Sequence, residues 1–378
     1  MASGRVERAS PSAMGVRTSR AATIPINAMK KTSSAIVSRS SDRGGSGSGS
    51  IPRTLARPQP RRRLTWPPDA PRVGIHLGVA GGLLKAARRA RQIGATALQI
   101  FSDNPTAWRR RPEPPADAPA FVAFCAREGI APVAIHASYL INLAGSAEPF
   151  ARQSVEGLTY EMQRAPAYGA MLVNTHIGSH RGGGTGSGIA RLAKSIDSVM
   201  ADSPPGVRLV LENSAGGGDT IGGKLEELAA ILEASSANGA DRLAFCLDTA
   251  HLWGAGYDIS TADGATAVLD RFDELIGLDR LALIHLNDTR SLLGSRGDRH
   301  EHLGAGRIGG AGLAAFLGDP RLPGRTTLVM ETPGVDEGFD ATNMRRAWLL
   351  HAGARNLPVL PARAFRTSRA STRRTRPS

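Results

Sequence analysis

Two short stretches carry much of the chemistry this sequence can do. "CLDTAHLWGAGYD" (246–258) puts Asp248 and His251 three residues apart where an apolar run stops. "GSRGDRHEHLGAG" (294–306) puts Asp298 and His300 at i, i+2, a spacing that in extended chain turns both side chains to one side. Elsewhere single ionisable residues close apolar runs. Read in order, the run ends are His76, Phe101, His136, His176, Glu212, Asp248, His285 and Glu331. One such histidine would ordinarily be a satisfied core residue, but seven ionisable residues in eight such places are not explained that way. Brought together, they would repel or desolvate one another unless cations held them, because a buried unpaired charge is costly. Imidazole nitrogen mixed with carboxylate oxygen, and no cysteine pair, suits zinc, manganese or iron. His136, His176, His251, His285 and His300, with Glu212, Asp248, Asp298 and Glu331, are more ligands than one or two ions use, and three ions fit better.

The elements that must position these residues can be read from the apolar pattern. Eight short runs rich in leucine and β-branched residues occur at 73–78, 96–101, 132–136, 171–176, 208–213, 243–248, 281–288 and 326–331. Each is followed by a loop and an amphipathic, Ala- and Leu-rich stretch such as "GGLLKAARRARQIG" or "KLEELAAILEASSANG". Eight β/α units predict a (β/α)8 TIM barrel, in which the strand ends converge on one face. An open doubly wound sheet is the alternative, but no G-x-G-x-x-G follows a strand.

The formal charge of +14 suggests nucleic acid until its distribution is examined. Residues 1–72 hold 14 Lys or Arg against three acids, and residues 355–378 hold seven Arg and no acid, so residues 73–354 are left at about −4. The barrel domain, 71–354, is therefore slightly acidic, and the overall basicity says nothing about its binding face. Residues 1–70, rich in Ser, Arg, Gly and Pro, and the tail 355–378 read as disordered. A polyanion-binding extension, an organelle-targeting segment and a wrongly included upstream start fit residues 1–70 equally. No apolar run is long enough for a membrane helix or a secretory signal, so a soluble cytoplasmic protein is expected. Cys125 and Cys246 belong to no C-x-x-C pair and read as buried thiols.

"HASYLINLA" (136–144), "NTHIGSH" (174–180), "LENSAGGG" (211–218), "CLDTAHLWGAGYD" (246–258), "HLNDTRSLLGSRGDRHEHLGAGRIG" (285–309) and "METP" (330–333) closely resemble the endonuclease IV family of apurinic/apyrimidinic endonucleases. The resemblance spans roughly residues 73–350. It implies a trinuclear zinc site, with manganese an acceptable substitute, in which His136 and His176 hold the first ion, Asp248, His285 and Glu331 the second, and His251, Asp298 and His300 the third. Glu212 would bridge the first two and orient or deprotonate the attacking water. The implied reaction is cleavage 5′ to an abasic site in duplex DNA, leaving a 3′ hydroxyl and a 5′-deoxyribose phosphate, with removal of blocked 3′ ends. A monomer associated with the nucleoid is the corresponding expectation.

Access to a phosphate within a kinked duplex requires the damaged nucleotide to leave the stack, which costs least when its base is missing. Tyr139 and Leu140 match family positions that enter the DNA. The loop "FSDNPTAWRRRPE" (101–113) departs from the family pattern at Pro105 and Thr106, leaving Trp108 and Arg109 as its DNA candidates, with Arg110 and Arg111 as further phosphate contacts. Arg296 and Arg299 flank the third-ion ligands and suit backbone contacts. His180 and His302 sit near ligands without the spacing to join them. Two rivals remain at this stage: a metal-dependent sugar isomerase or epimerase, which needs only the quartet Glu212, Asp248, His285 and Glu331, and a noncatalytic DNA-damage binding protein.

Overall fold

The computed structural model describes residues 66–67, 70–235 and 241–365. Strands β1 (Arg72–His76), β2 (Ala97–Phe101), β3 (Val133–His136), β4 (Ala170–His176), β5 (Arg208–Glu212), β6 (Leu243–Asp248) and β7 (Leu281–His285) follow one another around a parallel barrel. Two short strands, β8 (Asp288–Thr289) and β9 (His300–Glu301), pair with each other outside it, and β10 (Thr327–Met330) is the barrel's eighth strand. Sequential barrel neighbours pair throughout, and β1 meets β10 to complete the ring. The eight barrel strands fall on the eight predicted runs. Helices alternate with them: α1 (Leu83–Ile93), α2 (Ala118–Glu128), α3 (Phe150–Arg164), α4 (Thr185–Ala201), α5 (Leu225–Ala234), α6 (Thr249–Ala255), α7 (Ala262–Leu275), α8 (Gly309–Gly318) and α9 (Asp340–His351). Helix α1 stops at Gly94, whose φ of 86° an L-residue adopts only at a cost. The glycine predicted to stop the helix begun at Leu225 lies outside the described residues, beyond Ala234.

The period of two along a strand explains how this barrel makes a site. Outward-facing residues such as Leu209, Leu211, Phe245 and Leu247 join the main core beneath the helices. Inward-facing Ala134, Leu172, Val210, Cys246, Leu283 and Val329 form a separate cluster inside the barrel. Two residues further along each of those strands the same inward face carries His136, Asn174, Glu212, Asp248, His285 and Glu331. A dry apolar plug therefore floors a polar layer. Gly74 lets β1 come close to β2, since a Cβ there would sit 2.7 Å from the backbone of Ala97.

Both ends of the folded domain extend past the predicted boundaries. Trp66, inside the segment predicted to be disordered, packs against the main core with its ring 5.7 Å from that of His351. At the other end the predicted tail begins as folded chain: residues 355–365 lie across α9, where Leu360 and Ala364 are buried with Phe339. The remainder of both predicted tails, apart from Pro67 and Ala70, lies outside the described residues. Among the described residues no helix is long and apolar enough to cross a membrane.

Candidate metal centre

The polar layer converges. Glu212 is fully buried at its middle: Oε2 lies 3.6 Å from His136 Nε2, and Oε1 lies 3.7 Å from His176 Nε2 and 3.3 Å from His285 Nδ1. His285 Nδ1 is also 3.4 Å from Glu331 Oε2 and 3.8 Å from Asp248 Oδ2. On the far side of Asp248, His300 Nε2 approaches its Oδ2 to 3.6 Å. Asp298 closes this side, 3.2 Å from His251 Nε2 and 3.1 Å from His300 Nε2. Four groups among the described residues have ligand atoms mutually within 4.8 Å: His136–His176–Glu212, Glu212–Cys246–His285, Asp248–His285–Glu331 and Asp248–His251–His300. All nine residues expected as ligands are thus brought to one place.

Local structure explains several of these positions. Asp248 ends β6 and caps α6, its Oδ1 accepting from the backbone N–H of His251 at 2.9 Å. The sequence suggested a loop here; the cap starts a short helix instead, and its first turn carries His251 back over the barrel mouth. His300 lies in β9, which pairs antiparallel with β8, so the loop between them returns Asp298 to the site. Neither two-residue strand was predicted.

The donors fit divalent cations. A carbonyl oxygen only accepts, so the contacts of His136 Nδ1 with Ala137 O (2.8 Å), His251 Nδ1 with Asn213 O (2.9 Å) and His300 Nδ1 with Glu331 O (3.1 Å) put the proton on Nδ1. Each Nε2 is left with a lone pair facing a carboxylate. His285 Nδ1 and His300 Nε2 are buried and make no hydrogen bond. Lone pairs and anionic oxygens facing one another at 3–4 Å need a cation or a proton between them. The titration behaviour agrees. Burial opposes charge on His251, yet Asp248, Asp298 and Glu212 outweigh it and push the imidazole up to about 10. Burial likewise opposes charge on His300, and Asp298 and Asp248 push it up to about 9. Burial would raise Glu212, but His285 and His176 hold it well below the usual carboxylate range. Cys246, read from sequence as plain core, sits directly against Glu212 and His285, where burial holds its thiol up at about 12.

Amides missed by the sequence reading surround these ligands. Asn174 Nδ2 donates to Glu212 Oε2 at 2.6 Å, Asn287 Nδ2 donates to Asp248 Oδ2 at 2.7 Å, and the N–H of Glu331 donates to Asn287 Oδ1 at 2.8 Å. Asn213 Oδ1 accepts from the N–H of Asp248 at 2.6 Å. Gln99 stands between His285, Glu331 and His76. Asn213 and Asn287 each follow a ligand strand closely enough to have been suspected; Gln99 and Asn174 are visible only as polar residues inside apolar runs.

The residues expected to meet DNA are placed unevenly. Tyr139 is 54% exposed at the mouth, its ring 5.5 Å from that of His136 and 5.9 Å from that of His176. Leu140 and Arg296 line a cavity of about 370 Å³ beside the ligands, together with Arg181. Arg181 and Arg296 are the only described non-glycine residues with positive φ, 50° and 58°. Arg109 and Arg299 are exposed, while Trp108 is half-buried near Gly157 of α3. Arg110 is turned inward, 3.5 Å from buried Glu161, and so braces its loop, while Arg111 is exposed, its backbone N–H bonded to Asp103 and its guanidinium 3.4 Å from that carboxylate. His180 accepts from the N–H of Gly184, and His302 is buried away from the cluster, so neither is a ligand.

A sequence model of the xylose isomerase-like TIM barrel family matches residues 87–350. The chain is 40% identical over 275 residues to a probable endonuclease 4 of Natranaerobius thermophilus, covering 73% of this chain and 96% of that protein. It is 39% identical over 293 residues to a probable endonuclease 4 of Halorhodospira halophila, covering 77% of this chain and 97% of that one. Among solved structures, endonuclease IV from Thermus thermophilus superposes with a TM-score of 0.64 at 38% identity, covering 74% of this chain and all of that one, 100%. A D-tagatose 3-epimerase-like protein superposes at 0.55 with 14% identity over 75% of this chain and 98% of that one, which shows a shared fold alone. By its matched length, its identity to these relatives and its barrel, the chain belongs to the endonuclease IV family of enzymes on the xylose isomerase-like TIM barrel.

Proposed function

We propose that this enzyme hydrolyses the phosphodiester 5′ to abasic sites in duplex DNA, leaving a 3′ hydroxyl and a 5′-deoxyribose phosphate, and that it also clears blocked 3′ ends. The reading is carried by one observation: five imidazoles and three carboxylates meet at the barrel mouth in overlapping groups, with Asp298 closing one side against His251 and His300. Three zinc ions suit this set, with manganese acceptable to the same ligands. His136, His176 and Glu212 would hold one, Asp248, His285 and Glu331 another, and His251, Asp298 and His300 the third, with Glu212 shared between the first two. Bound there, divalent cations would supply Lewis acidity toward a phosphoryl oxygen and make water a competent nucleophile near neutral pH.

The chain's own residues supply the rest. Glu212, held on Oε2 by Asn174, turns Oε1 toward His176, His251 and His285, where it would orient or deprotonate the attacking water. Arg181 and Arg296 offer guanidinium groups to the DNA backbone on one side of the ligands, with Arg299 exposed nearby. Tyr139 and Leu140 stand where side chains must fill the space left by an extruded abasic nucleotide, and Arg109 and Trp108 lie on the neighbouring loop. The protein would act as a monomer on nucleoid DNA. The test is a duplex with one abasic site, incubated with the purified chain with and without a chelator. Chelator-sensitive nicking on the 5′ side of the lesion is expected, and intact duplex after addition of excess zinc would overturn the proposal. A sugar isomerase or epimerase would instead bind one or two ions per chain.

A further inference from the structure

Gln99 is a wholly buried polar side chain in the middle of β2, and nothing said so far about the reaction uses it. Its amide faces three groups at once. Oε1 lies 3.1 Å from His285 Nε2, while Nε2 lies 2.9 Å from Glu331 Oε1 and 3.0 Å from His76 Nδ1. The contacts with Glu331 and His285 fix the orientation of the amide. An ionised carboxylate only accepts, so the amide nitrogen must face Glu331, and the amide oxygen must then face His285. That oxygen also only accepts, so His285 carries its proton on Nε2. Its Nδ1 is left as a bare lone pair turned toward Glu212, Asp248 and Glu331, where it is buried and makes no hydrogen bond. The second amide N–H lies 3.0 Å from His76 Nδ1, which is itself 3.2 Å from Glu331 Oε1.

We propose that Gln99 is a positioning residue that selects the Nε2–H tautomer of His285 and at the same time aims Glu331, so that two ligands contributed by different strands are set by one amide. The inference rests on the proposed metal reading for its purpose but not for its geometry. The other ligand histidines with a fixed outer proton use backbone carbonyls, which no substitution can remove; His285 alone among them depends on a side chain. Orienting partners of this kind typically change metal affinity about 10–100-fold when removed.

The test uses the full chain with ¹⁵N-labelled histidine, stripped of metal and then titrated with zinc against a competing chelator. His285 signals are assigned by their loss in His285→Gln. At a pH high enough to leave the ring neutral, the wild type is expected as a single Nε2–H tautomer. In Gln99→Met, which keeps the bulk and loses both polar atoms, the tautomers should mix and zinc at one position should bind about 10–100-fold more weakly. Gln99→Glu keeps the acceptor but not the donor: it should restore the tautomer without restoring the affinity. An unchanged His285 tautomer and unchanged zinc affinity in Gln99→Met would overturn the proposal. Should that variant not fold, a wild-type chain lacking the single tautomer, or Gln99→Glu losing it, would do the same. A wild type with the expected tautomer but no zinc uptake would overturn the metal reading and leave the tautomer assignment standing.

Discussion

Replacing Asn287 by leucine isolates what the amide layer contributes. Asn287 is fully buried, and its side chain holds two ligands belonging to different strands: Nδ2 donates to Asp248 Oδ2 at 2.7 Å and Oδ1 accepts the N–H of Glu331 at 2.8 Å. Leucine keeps the branching and heavy-atom count of asparagine, so the change removes the two bonds without opening a cavity. The bond to the carboxylate is worth about 1.5–3 kcal/mol and the neutral one about 0.5–1.5, together about 2–4.5 kcal/mol for the metal-free chain. At about 2–4 °C per kcal/mol for a large domain, the melting temperature should fall by roughly 4–18 °C. With zinc in excess the loss should change, because an ion on Asp248 replaces part of what the amide supplied, while the affinity for that ion drops about 10–100-fold. Differential scanning calorimetry with and without zinc reads both effects. A metal-free Asn287→Leu protein that melts with the wild type would refute the assignment of these bonds as stabilising. A changed melting temperature with unchanged zinc affinity would refute their role in aiming the ligands.

Further outcomes follow from other parts of the structure. Glu212→Gln should fold and sharply reduce incision of an abasic duplex, and undiminished turnover would dismiss Glu212 from the chemistry. Asp103 opposes its burial with bonds from the N–H groups of Arg111 and Asn104, which hold its carboxyl below the usual range. Its contribution is present above the unfolded value of about 3.9 and lost as pH falls through the lower folded value. The protection factor of the Arg111 amide should fall in acid, and in Asp103→Ala it should be low at every pH; equal protection in both proteins would contradict this. Truncation after residue 354 exposes Phe339 and strips Arg346 of its contact with Pro358, so a lower melting temperature is expected. Arg296→Ala should flatten the salt dependence of DNA binding by about 0.9 in log–log slope if it meets one phosphate, and an unchanged slope would remove it from the interface.

The barrel and the convergence of these nine side chains were legible because strand period and the polar positions obey the same rule. Val210 and Glu212, or Val329 and Glu331, are two apart, so an apolar inward residue announces a polar one on the same face. The amides were not legible, since an asparagine or glutamine identifies itself only through its partners, and Gln99 meets Glu331 across 232 positions of sequence. The same limit hid Arg110, which looks like a free cation until Glu161, on a helix 51 positions later, is brought beneath it. Residues 355–365 have Leu357, Leu360 and Phe365 spaced by prolines and arginines with no helical or strand period, and their fixing points, His302 and Arg346, lie on other elements. The exposed pair Leu292 and Leu293, on the loop that returns Asp298, gave no distinct signal either.

The central claim is that cations gather among these nine side chains. It is tested most directly by crystallising the full chain with zinc and recording anomalous difference maps on both sides of the zinc absorption edge. Three peaks are expected at the barrel mouth, one against His136 and His176, one against Asp248, His285 and Glu331, and one against His251, Asp298 and His300. One or two peaks, or peaks away from these imidazoles and carboxylates, would contradict it.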